Sequence, residues 1–245
     1  MRLISLNAWC GIRWEQLTGF IKGLADKTDI FCFQEVRNGG YKNGDRPPLE
    51  HEEFYADMQT LLPDYIGHYI PMVPGVGLAS FVRKNIVVEK VESSLILSAE
   101  ETRHLKRADG SNYYPRVMQT IFLGDGLIVH NFHGIPGGSK GDTPERGVQT
   151  KRVLERIVGD RPNILVGDFN LDMDTAAIMK FEEHGMRNLV REGAFKTTRN
   201  ANYVKQIVMP FADYAFVTSG LKVIDFRVLQ DDVSDHLPLS LEFTH

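Results

Sequence analysis

The sequence predicts an α/β protein in which helices pack outside sheets made largely of antiparallel strands. Strand and helix patterns alternate along all 245 residues. Hairpin signals accompany longer crossover segments, as at Gly124-Asp125-Gly126 between two apolar runs. No repeat, low-complexity stretch or linker divides the chain, so we predict a single domain over residues 1–245.

The first predicted elements are a strand, a helix and a second strand. The apolar residues within 2–9 predict a short strand. Residues 15–27 are predicted to form a helix because apolar residues recur there at helical spacing. The continuous apolar run over residues 29–36 is typical of a strand buried on both faces. A loop rich in Gly, Asn and Pro follows over residues 38–48.

The rest of the pattern predicts three more helices and nine more strands. The helices lie over residues 50–62, about 142–158, and 174–183. The strands lie over residues 65–70, 77–83, 86–97, 118–123, 127–132, 163–167, 211–218, 221–228 and 237–243. Asp142 and Thr143 are both candidates for the N-cap of the middle helix, where Pro144 is tolerated in the first turn.

Charge and cysteine content narrow the possible functions. The net charge of −4 weakly disfavours tight binding to long nucleic acid, since that affinity depends on Lys and Arg. Two cysteines make a disulfide framework improbable and favour a reducing compartment, so we expect a cytoplasmic protein. No segment approaches the length of a membrane span. The sequence carries no signal for an oligomeric state.

Polar side chains follow several of the predicted apolar strands or directly precede the last one. In chain order they are Asn7, Glu35, His133, Asp168, Asn170, Asp235 and His236. Any one alone is explained by capping or turn formation. As a set, the carboxylates suit Mg²⁺, Mn²⁺ or Ca²⁺ better than a thiolate zinc site. The histidines add hydrogen-bond donors and a proton-transfer group.

Hydrolysis of a phosphate ester needs this combination of groups. It requires a cation against the phosphate, an oriented water, and donors for the developing negative charge. The sequence therefore predicts a divalent-metal-dependent phosphoesterase that uses Mg²⁺, with Mn²⁺ as an alternative ion.

Six short motifs resemble the endonuclease/exonuclease/phosphatase family and occur in that family's order across nearly the whole chain. They are Ser5–Trp9, Phe33–Val36, Asn131–Gly134, Gly167–Asn170, Asp213–Val217 and Ser234–Leu239. Each motif alone is weak, but six in order are a specific signal. The resemblance implies a four-layered α/β/β/α sandwich with two central mixed, largely antiparallel sheets. It also implies that the site lies at one edge of the paired sheets.

The resemblance implies metal-binding roles for three residues. Glu35 resembles the family's main metal-binding glutamate, Asn7 the asparagine that supports metal and phosphate, and Asp235 a second carboxylate beside the metal.

It implies catalytic roles for five further residues. Asp168 resembles the aspartate that orients or deprotonates the attacking water, and Asn170 an asparagine that hydrogen-bonds the phosphate or that water. His236 resembles the histidine that contacts the scissile phosphate, and Asp213 the aspartate that orients it. His133 resembles a second histidine that stabilises charge on the phosphate. Whether Asp168 or His236 transfers the proton stays open at this point.

Three basic residues are weaker candidates for substrate contact. Lys140 ends a Gly-rich loop and Arg146 opens the following helix, where a helix N-terminus favours phosphate. Arg116 lies beyond a basic cluster of Arg103, His104, Lys106 and Arg107. Solvated side chains explain such residues equally well or better.

The site residues indicate the reaction type better than the substrate. The leading prediction is hydrolysis of a phosphodiester, by a nuclease or a related small phosphodiesterase. The alternative is a phosphomonoesterase for a small molecule or lipid headgroup. A non-catalytic binding module is a third possibility, but it would have lost at least one of the site residues, and none is missing.

Overall fold

Two six-stranded mixed sheets stack face to face, with helices on their outer faces. The computed structural model describes residues 1–39, 49–105, 113–137, 139–157, 159–203 and 209–245. Within them the fold is the four-layered α/β/β/α sandwich that the family resemblance implies. No helix in these ranges is long and apolar enough to cross a membrane. Residues 40–48 of the predicted Gly-rich loop lie outside the described residues.

The described part of the chain contains twelve strands and five α-helices. In chain order they are β1 (Arg2–Asn7), α1 (Trp14–Ala25), β2 (Ile30–Arg37), α2 (Phe54–Leu61), β3 (Tyr65–Val73), β4 (Val76–Arg83), β5 (Val88–Leu97), β6 (Arg116–Leu123), β7 (Ile128–His133), α3 (Pro144–Leu154), β8 (Asn163–Asp168), α4 (Ala176–Glu183), β9 (Arg187–Asn188), α5 (Leu189–Glu192), β10 (Asp213–Val217), β11 (Lys222–Val228) and β12 (Leu239–Thr244).

The two sheets share one organisation. The first has the strand order β11-β12-β1-β2-β4-β3, and the second has the order β5-β6-β7-β8-β10-β9. Each contains one parallel pair near its centre, β1 with β2 and β7 with β8, while the other neighbours are antiparallel. The carboxyl ends of both parallel pairs are therefore the natural position for a site.

Apolar side chains fill three layers. The central layer joins both sheets through residues such as Leu3, Cys32, Val129 and Ile164. Helices α1 and α2 cover the outer face of the first sheet, and α3 and α4 cover that of the second. Alternate residues of a strand point to opposite layers, so Ile4 faces the helices while Leu3 faces the other sheet.

A buried polar network links the sheets beside the site. Gln34 Nε2 donates to Asn131 Oδ1 at 2.7 Å, and Asn131 Nδ2 donates to the Phe33 carbonyl at 3.1 Å. Ser80 Oγ donates to Gln119 Oε1 at 2.6 Å across the same interface. Directional bonds of this kind fix the relative position of the two sheets at Gln34, the residue directly before Glu35.

Several element boundaries differ from the sequence-based prediction. Helix α2 begins at Phe54, four residues later than predicted. Thr143, not Asp142, caps α3, since its Oγ1 accepts from Arg146 N. Asp142 instead accepts from the backbone of Ala176 and Ala177 in the first turn of α4, whose N-cap is Thr175. Helix α3 ends at Leu154, and Val158 of its predicted end lies outside the described residues.

Candidate active site

The parallel strand pairs bring four of the predicted site residues to one edge of the sandwich. Asn7 ends β1 and is in register with Gln34, so Glu35 lies next to it. His133 and Asp168 end β7 and β8 as direct register partners. Because the sheets stack face to face, these two pairs of residues approach each other across the central layer. Asn7 Nδ2 donates to Asp168 Oδ2 at 3.0 Å and joins them.

Three more predicted residues arrive at the same edge on antiparallel strands. Asp213 begins β10 in register with Asp168. Asp235 and His236 lie just before β12, which pairs with β1. Ser234 holds this segment in place, because its Oγ donates to the Asn7 carbonyl at 2.7 Å and accepts from His236 N at 3.2 Å.

Two site residues have left-handed backbone conformations. The φ angle is 55° at Glu35 and 56° at Asn170. Glu35 lies where the β2–β4 register shifts, between Phe33 and Val36. A bulge of this kind redirects a side chain, and non-glycine residues with positive φ concentrate at functional sites.

Asp168 is the buried centre of the cluster, with 2% of its surface exposed. Its Oδ1 accepts from Asn170 N at 2.8 Å, and its Oδ2 lies 3.7 Å from His133 Nε2 and 3.6 Å from His236 Nε2. Burial alone would raise the pKa of Asp168, but the charges of His236 and Arg199 outweigh it and lower the pKa. Asp168 is therefore ionised at neutral pH.

His236 and Asp213 form a buried pair. His236 Nδ1 lies 2.8 Å from each carboxylate oxygen of Asp213. Burial opposes charge on the imidazole, yet the negative charge of Asp213 raises the pKa of His236 above its ordinary value. Burial raises the pKa of Asp213, and His236 opposes that rise. The carboxylate holds the imidazole with Nε2 directed toward Asp168.

His133 differs electrostatically from His236. Burial, and next the positive charge of Arg116, lower the pKa of His133 to about 3, so the ring is neutral at neutral pH. Its Nε2 lies 3.8 Å from Glu35 Oε1. Its Nδ1 is buried without a hydrogen-bond partner among the residues that the structure describes.

Arg199 is a buried site residue that none of the six sequence motifs contains. It is 3% exposed, and an isolated β-bridge joins its backbone to His236. Its Nη1 donates to His236 Nε2 and lies 3.9 Å from Asp235 Oδ2. Its guanidinium stacks 4.1 Å from the ring centre of Tyr203. The only sequence signal was the interleaving of basic residues with Tyr203, which also fits a surface segment.

Lys140 reaches the site and Arg146 lies beside it. Lys140 Nζ donates to Asn170 Oδ1, and burial lowers the pKa of Lys140 to about 8. Asn170 Nδ2 donates to the Gly134 carbonyl at 3.3 Å. Arg146 is buried in the first turn of α3. Arg116 is also buried and acts on His133 through its charge.

Arg103 and His104 of the predicted basic cluster pair with residues other than those of the site. Arg103 is exposed and pairs with Glu100. His104 pairs with Glu145 at 2.8 Å. Lys106 and Arg107 lie outside the described residues.

The donor chemistry of the site fits a divalent cation. Glu35 is 30% exposed at its side chain, and burial followed by the charge of Asp235 raises its pKa. Neither Lys nor Arg forms an ion pair with Glu35 in the described ranges. The carboxylates of Glu35 and Asp235, plus the amide oxygen of Asn7, form a hard-oxygen set, although Asp235 Oδ2 also lies 3.9 Å from Arg199 Nη1.

A second group of donor atoms is also close-packed. Ligand atoms of Asp168, Asp213 and His236 all lie within 4.8 Å of one another. His236 Nδ1 and Asp213 already hydrogen-bond each other, however. A cation there would compete with this His236–Asp213 bond, whereas Glu35 forms no ion pair with Lys or Arg in the described part of the chain.

Comparison with known proteins identifies the same architecture. The model of the "Endonuclease/Exonuclease/phosphatase family" matches residues 4–236. No curated protein matches the chain. A mannosyl-6-phosphatase of Bacteroides thetaiotaomicron is similar in structure, with a TM-score of 0.75, 19% identity and 100% coverage of both chains.

Two eukaryotic structures are also similar. The human Nocturnin catalytic domain with bound sulfate has a TM-score of 0.70 and 18% identity, covering 100% of this chain and 94% of that one. A humanised TDP2 of D. rerio has a TM-score of 0.72 and 14% identity, covering 100% of this chain and 99% of that one. At these identities the likeness concerns the fold.

Proposed function

This chain belongs to the endonuclease/exonuclease/phosphatase family, whose members hydrolyse phosphate esters, and from that premise we propose that it is a Mg²⁺- or Mn²⁺-dependent phosphodiesterase. The observation that carries the proposal is the environment of Asp168. One buried, ionised carboxylate accepts from Asn7 and Asn170 and faces the Nε2 atoms of both histidines.

The metal would be held by oxygen atoms of Glu35, Asp235 and Asn7. A divalent cation there would neutralise charge on the phosphate. Without the cation, burial and next the charge of Asp235 disfavour the ionised form of Glu35 and raise its pKa. The two carboxylates are thus arranged to gain from a cation.

Asp168 is proposed to orient the attacking water. Its low pKa makes it a weak base, so accepting a hydrogen bond from water suits it better than removing a proton. Asn170 holds Lys140 at the same position through Oδ1. His236 has a raised pKa and is the better candidate for proton transfer.

Positive and neutral donors would stabilise the phosphate. Arg199 and Lys140 provide charge, and the neutral His133 provides a ring nitrogen. Arg199 already faces Asp235, and the charge of Asp168 acts on Lys140. Because these positive charges are already partly neutralised, the site suits a singly charged diester better than a doubly charged monoester. A nuclease is one kind of phosphodiesterase.

A phosphomonoesterase for a small molecule or lipid headgroup is the alternative. It is favoured by the two cationic side chains beside Asn170 and His236. A structurally similar protein is a mannosyl-6-phosphatase, which acts on a monoester.

A substrate panel tests the proposal. Purified protein would be assayed on bis-p-nitrophenyl phosphate, p-nitrophenyl phosphate and short oligonucleotides, with Mg²⁺, Mn²⁺ or EDTA. We expect metal-dependent diester cleavage that is lost in Glu35→Ala and Asp168→Ala but kept in Glu192→Ala, whose carboxylate pairs with Arg187 at the surface. Preference for the monoester would favour the alternative. Activity that persists in EDTA would contradict the metal-dependent mechanism.

A further inference from the structure

A cavity of about 200 Å³ lies between the segment after β7 and the first turn of α3. Its described lining residues are Leu105, Tyr113, Ile135, Pro136, Gly137, Ser139, Thr143 and Arg146. The walls are mainly apolar and aromatic, and the polar groups come from the loop and the helix start. Pockets for whole small-molecule ligands are usually about 300 Å³ or larger. This cavity therefore fits one part of a ligand.

Arg146 provides a buried charged donor to the cavity. Only 2% of the residue is exposed. Its Nη1 donates to the Gly141 carbonyl, whereas its Nη2 has no hydrogen-bond partner in the described part of the chain. Nη2 faces Gly137, where an added Cβ would lie only 3.0 Å from it. A buried guanidinium nitrogen without an acceptor is costly, so a ligand that supplies one would be favoured.

The nearby carboxylates are engaged elsewhere. Asp142 accepts from Ala176 N at 2.8 Å and from Ala177 N at 2.9 Å, which holds it at the start of α4. Glu145 pairs with His104 at 2.8 Å. Within the described ranges Arg146 forms no ion pair with either of them. The charges of Asp142, Asp168 and Glu145 act on Arg146, but neither Asp142 nor Glu145 occupies Nη2 by direct contact.

We infer that this cavity binds a second phosphate group of the substrate, next to the phosphate that reacts. Two donors line it, Arg146 Nη2 and the hydroxyl group of Ser139, whereas the Thr143 hydroxyl already hydrogen-bonds Glu145. Guanidinium and hydroxyl donors at a helix N-terminus suit phosphate oxygens. Leu105, Tyr113 and Ile135 would contact the adjoining carbon atoms of the substrate. The inference rests on the proposed function, because it assigns the substrate of that site.

The cavity is rigidly joined to the candidate active site. Ile135 follows His133 by two residues, so their Cα atoms are at most about 8 Å apart. Gly134 N donates to the Asp168 carbonyl at 2.7 Å, and Ile135 N donates to Gln149 Oε1 on α3 at 2.8 Å. One substrate molecule can therefore reach both positions.

The first test compares two substrates with the same phosphodiester. Thymidylyl thymidine has one phosphate, and its 5′-phosphorylated form has a second. In Mg²⁺ we expect wild type to favour the phosphorylated form by about tenfold or more in kcat/KM, as a charge-assisted hydrogen bond implies. Arg146→Gln should bring the ratio near one, and Arg146→Lys should give an intermediate ratio. Lys151→Gln, an exposed change on the same helix, should keep the wild-type ratio.

A binding measurement separates failure of this inference from failure of the proposed function. Thermal unfolding would be followed in EDTA with and without inorganic phosphate. Phosphate should raise the melting temperature of wild type and Lys151→Gln by more than that of Arg146→Gln, which retains only the site of the reacting phosphate. An equal rise in all three proteins, or no rise in any, would overturn the inference, as would equal kcat/KM of wild type for both dinucleotides. If phosphate binding depends on Arg146 but neither dinucleotide is hydrolysed, the phosphate-binding inference stands and the phosphodiesterase proposal is rejected.

Discussion

His236 Nδ1 lies 2.8 Å from both carboxylate oxygens of Asp213, and both side chains are buried where the two sheets meet. Because an ionised carboxylate only accepts hydrogen bonds, His236 must carry a proton on Nδ1 and donate it in a hydrogen bond to Asp213. Nε2 is then left for Arg199, Asp168 and the substrate. In the proposed mechanism, the pair would determine how the imidazole is oriented toward the reacting phosphate.

Asp213→Asn is expected to lower kcat by about 10- to 100-fold, the cost of a buried charge-assisted hydrogen bond. The neutral side-chain amide of the asparagine cannot stabilise the charged imidazole as a carboxylate does. Its NH₂ group can also donate to Nδ1, which would move the ring proton to Nε2. The measurement is steady-state kinetics with bis-p-nitrophenyl phosphate. Asp225→Asn serves as control, because Asp225 forms a local pair with Arg227 in β11. Equal kcat in the two variants would count against the positioning role.

Arg199→Lys is expected to reduce kcat/KM by about tenfold or more, and Arg199→Ala by a larger factor. Lysine keeps the charge but loses the planar contacts with His236 and Tyr203. The variants would be compared by kcat/KM on a phosphodiester, with Arg227→Lys as the exposed control. Wild-type kinetics for Arg199→Ala would show that the guanidinium does not act on the substrate.

Glu35→Gln is expected to weaken Mn²⁺ binding by about 100-fold or more, since even supporting residues around a metal change affinity by about 10- to 100-fold. Without metal the variant should be at least as stable as wild type, because burial and Asp235 raise the pKa of Glu35. Calorimetric titration with Mn²⁺ and thermal unfolding in EDTA measure the two effects. A variant that is clearly less stable in EDTA would contradict this electrostatic account.

Activity is expected to fall as pH rises above about 8, the pKa to which burial lowers Lys140 from its ordinary 10.5. The cationic form, present below that pKa, supplies charge to the phosphate, and the neutral form does not. A pH profile of kcat/KM is the measurement. Lys140→Arg should move the alkaline decline to higher pH, while Lys151→Arg should not. If the alkaline decline of activity stays at the same pH in Lys140→Arg, a group other than Lys140 causes it.

Stability is expected to decrease as pH falls from 6.5 to about 4 because of His130. Burial lowers the pKa of His130 to about 4, while Thr120 and Asn163 hydrogen-bond the ring. Between those values the unfolded chain binds a proton that the native state does not, which costs roughly 3 kcal/mol at about 1.4 kcal/mol per unit.

Urea unfolding at several pH values measures this loss. His130→Asn should be less stable at pH 7 but should lose less stability on acidification, and the exposed His184→Asn should behave like wild type. Parallel pH dependence of wild type and His130→Asn would exclude His130 as the source.

The positions of Asn7, Glu35, His133 and Asp168 were predictable because each follows an apolar strand. Local pattern identifies such strands, and the carboxyl ends of a parallel pair reach the same edge. The fold class was predictable for the same reason. The metal-binding and catalytic roles of these residues remain proposals.

Arg199 could not be found in this way. It lies in a polar segment without periodicity and joins the site through an isolated bridge to His236. The choice between Asp142 and Thr143 as cap also depended on tertiary structure, because Asp142 is drawn to α4. Strand β9 has two residues, too few for a recognisable alternation.

The strand order has a consequence for the protein during its synthesis. Strands β5–β10 are consecutive, so a nascent chain that has emerged to Val217 carries every strand of the second sheet. The first sheet cannot be completed at that stage, because β1 pairs on one side with β12, which is synthesised last. Until residues 239–244 emerge, β1 presents an unpaired edge, which is a site for aggregation and for chaperone binding. The Asp235–His236 segment arrives at the same stage, so hydrolysis is among the last properties that the growing chain acquires.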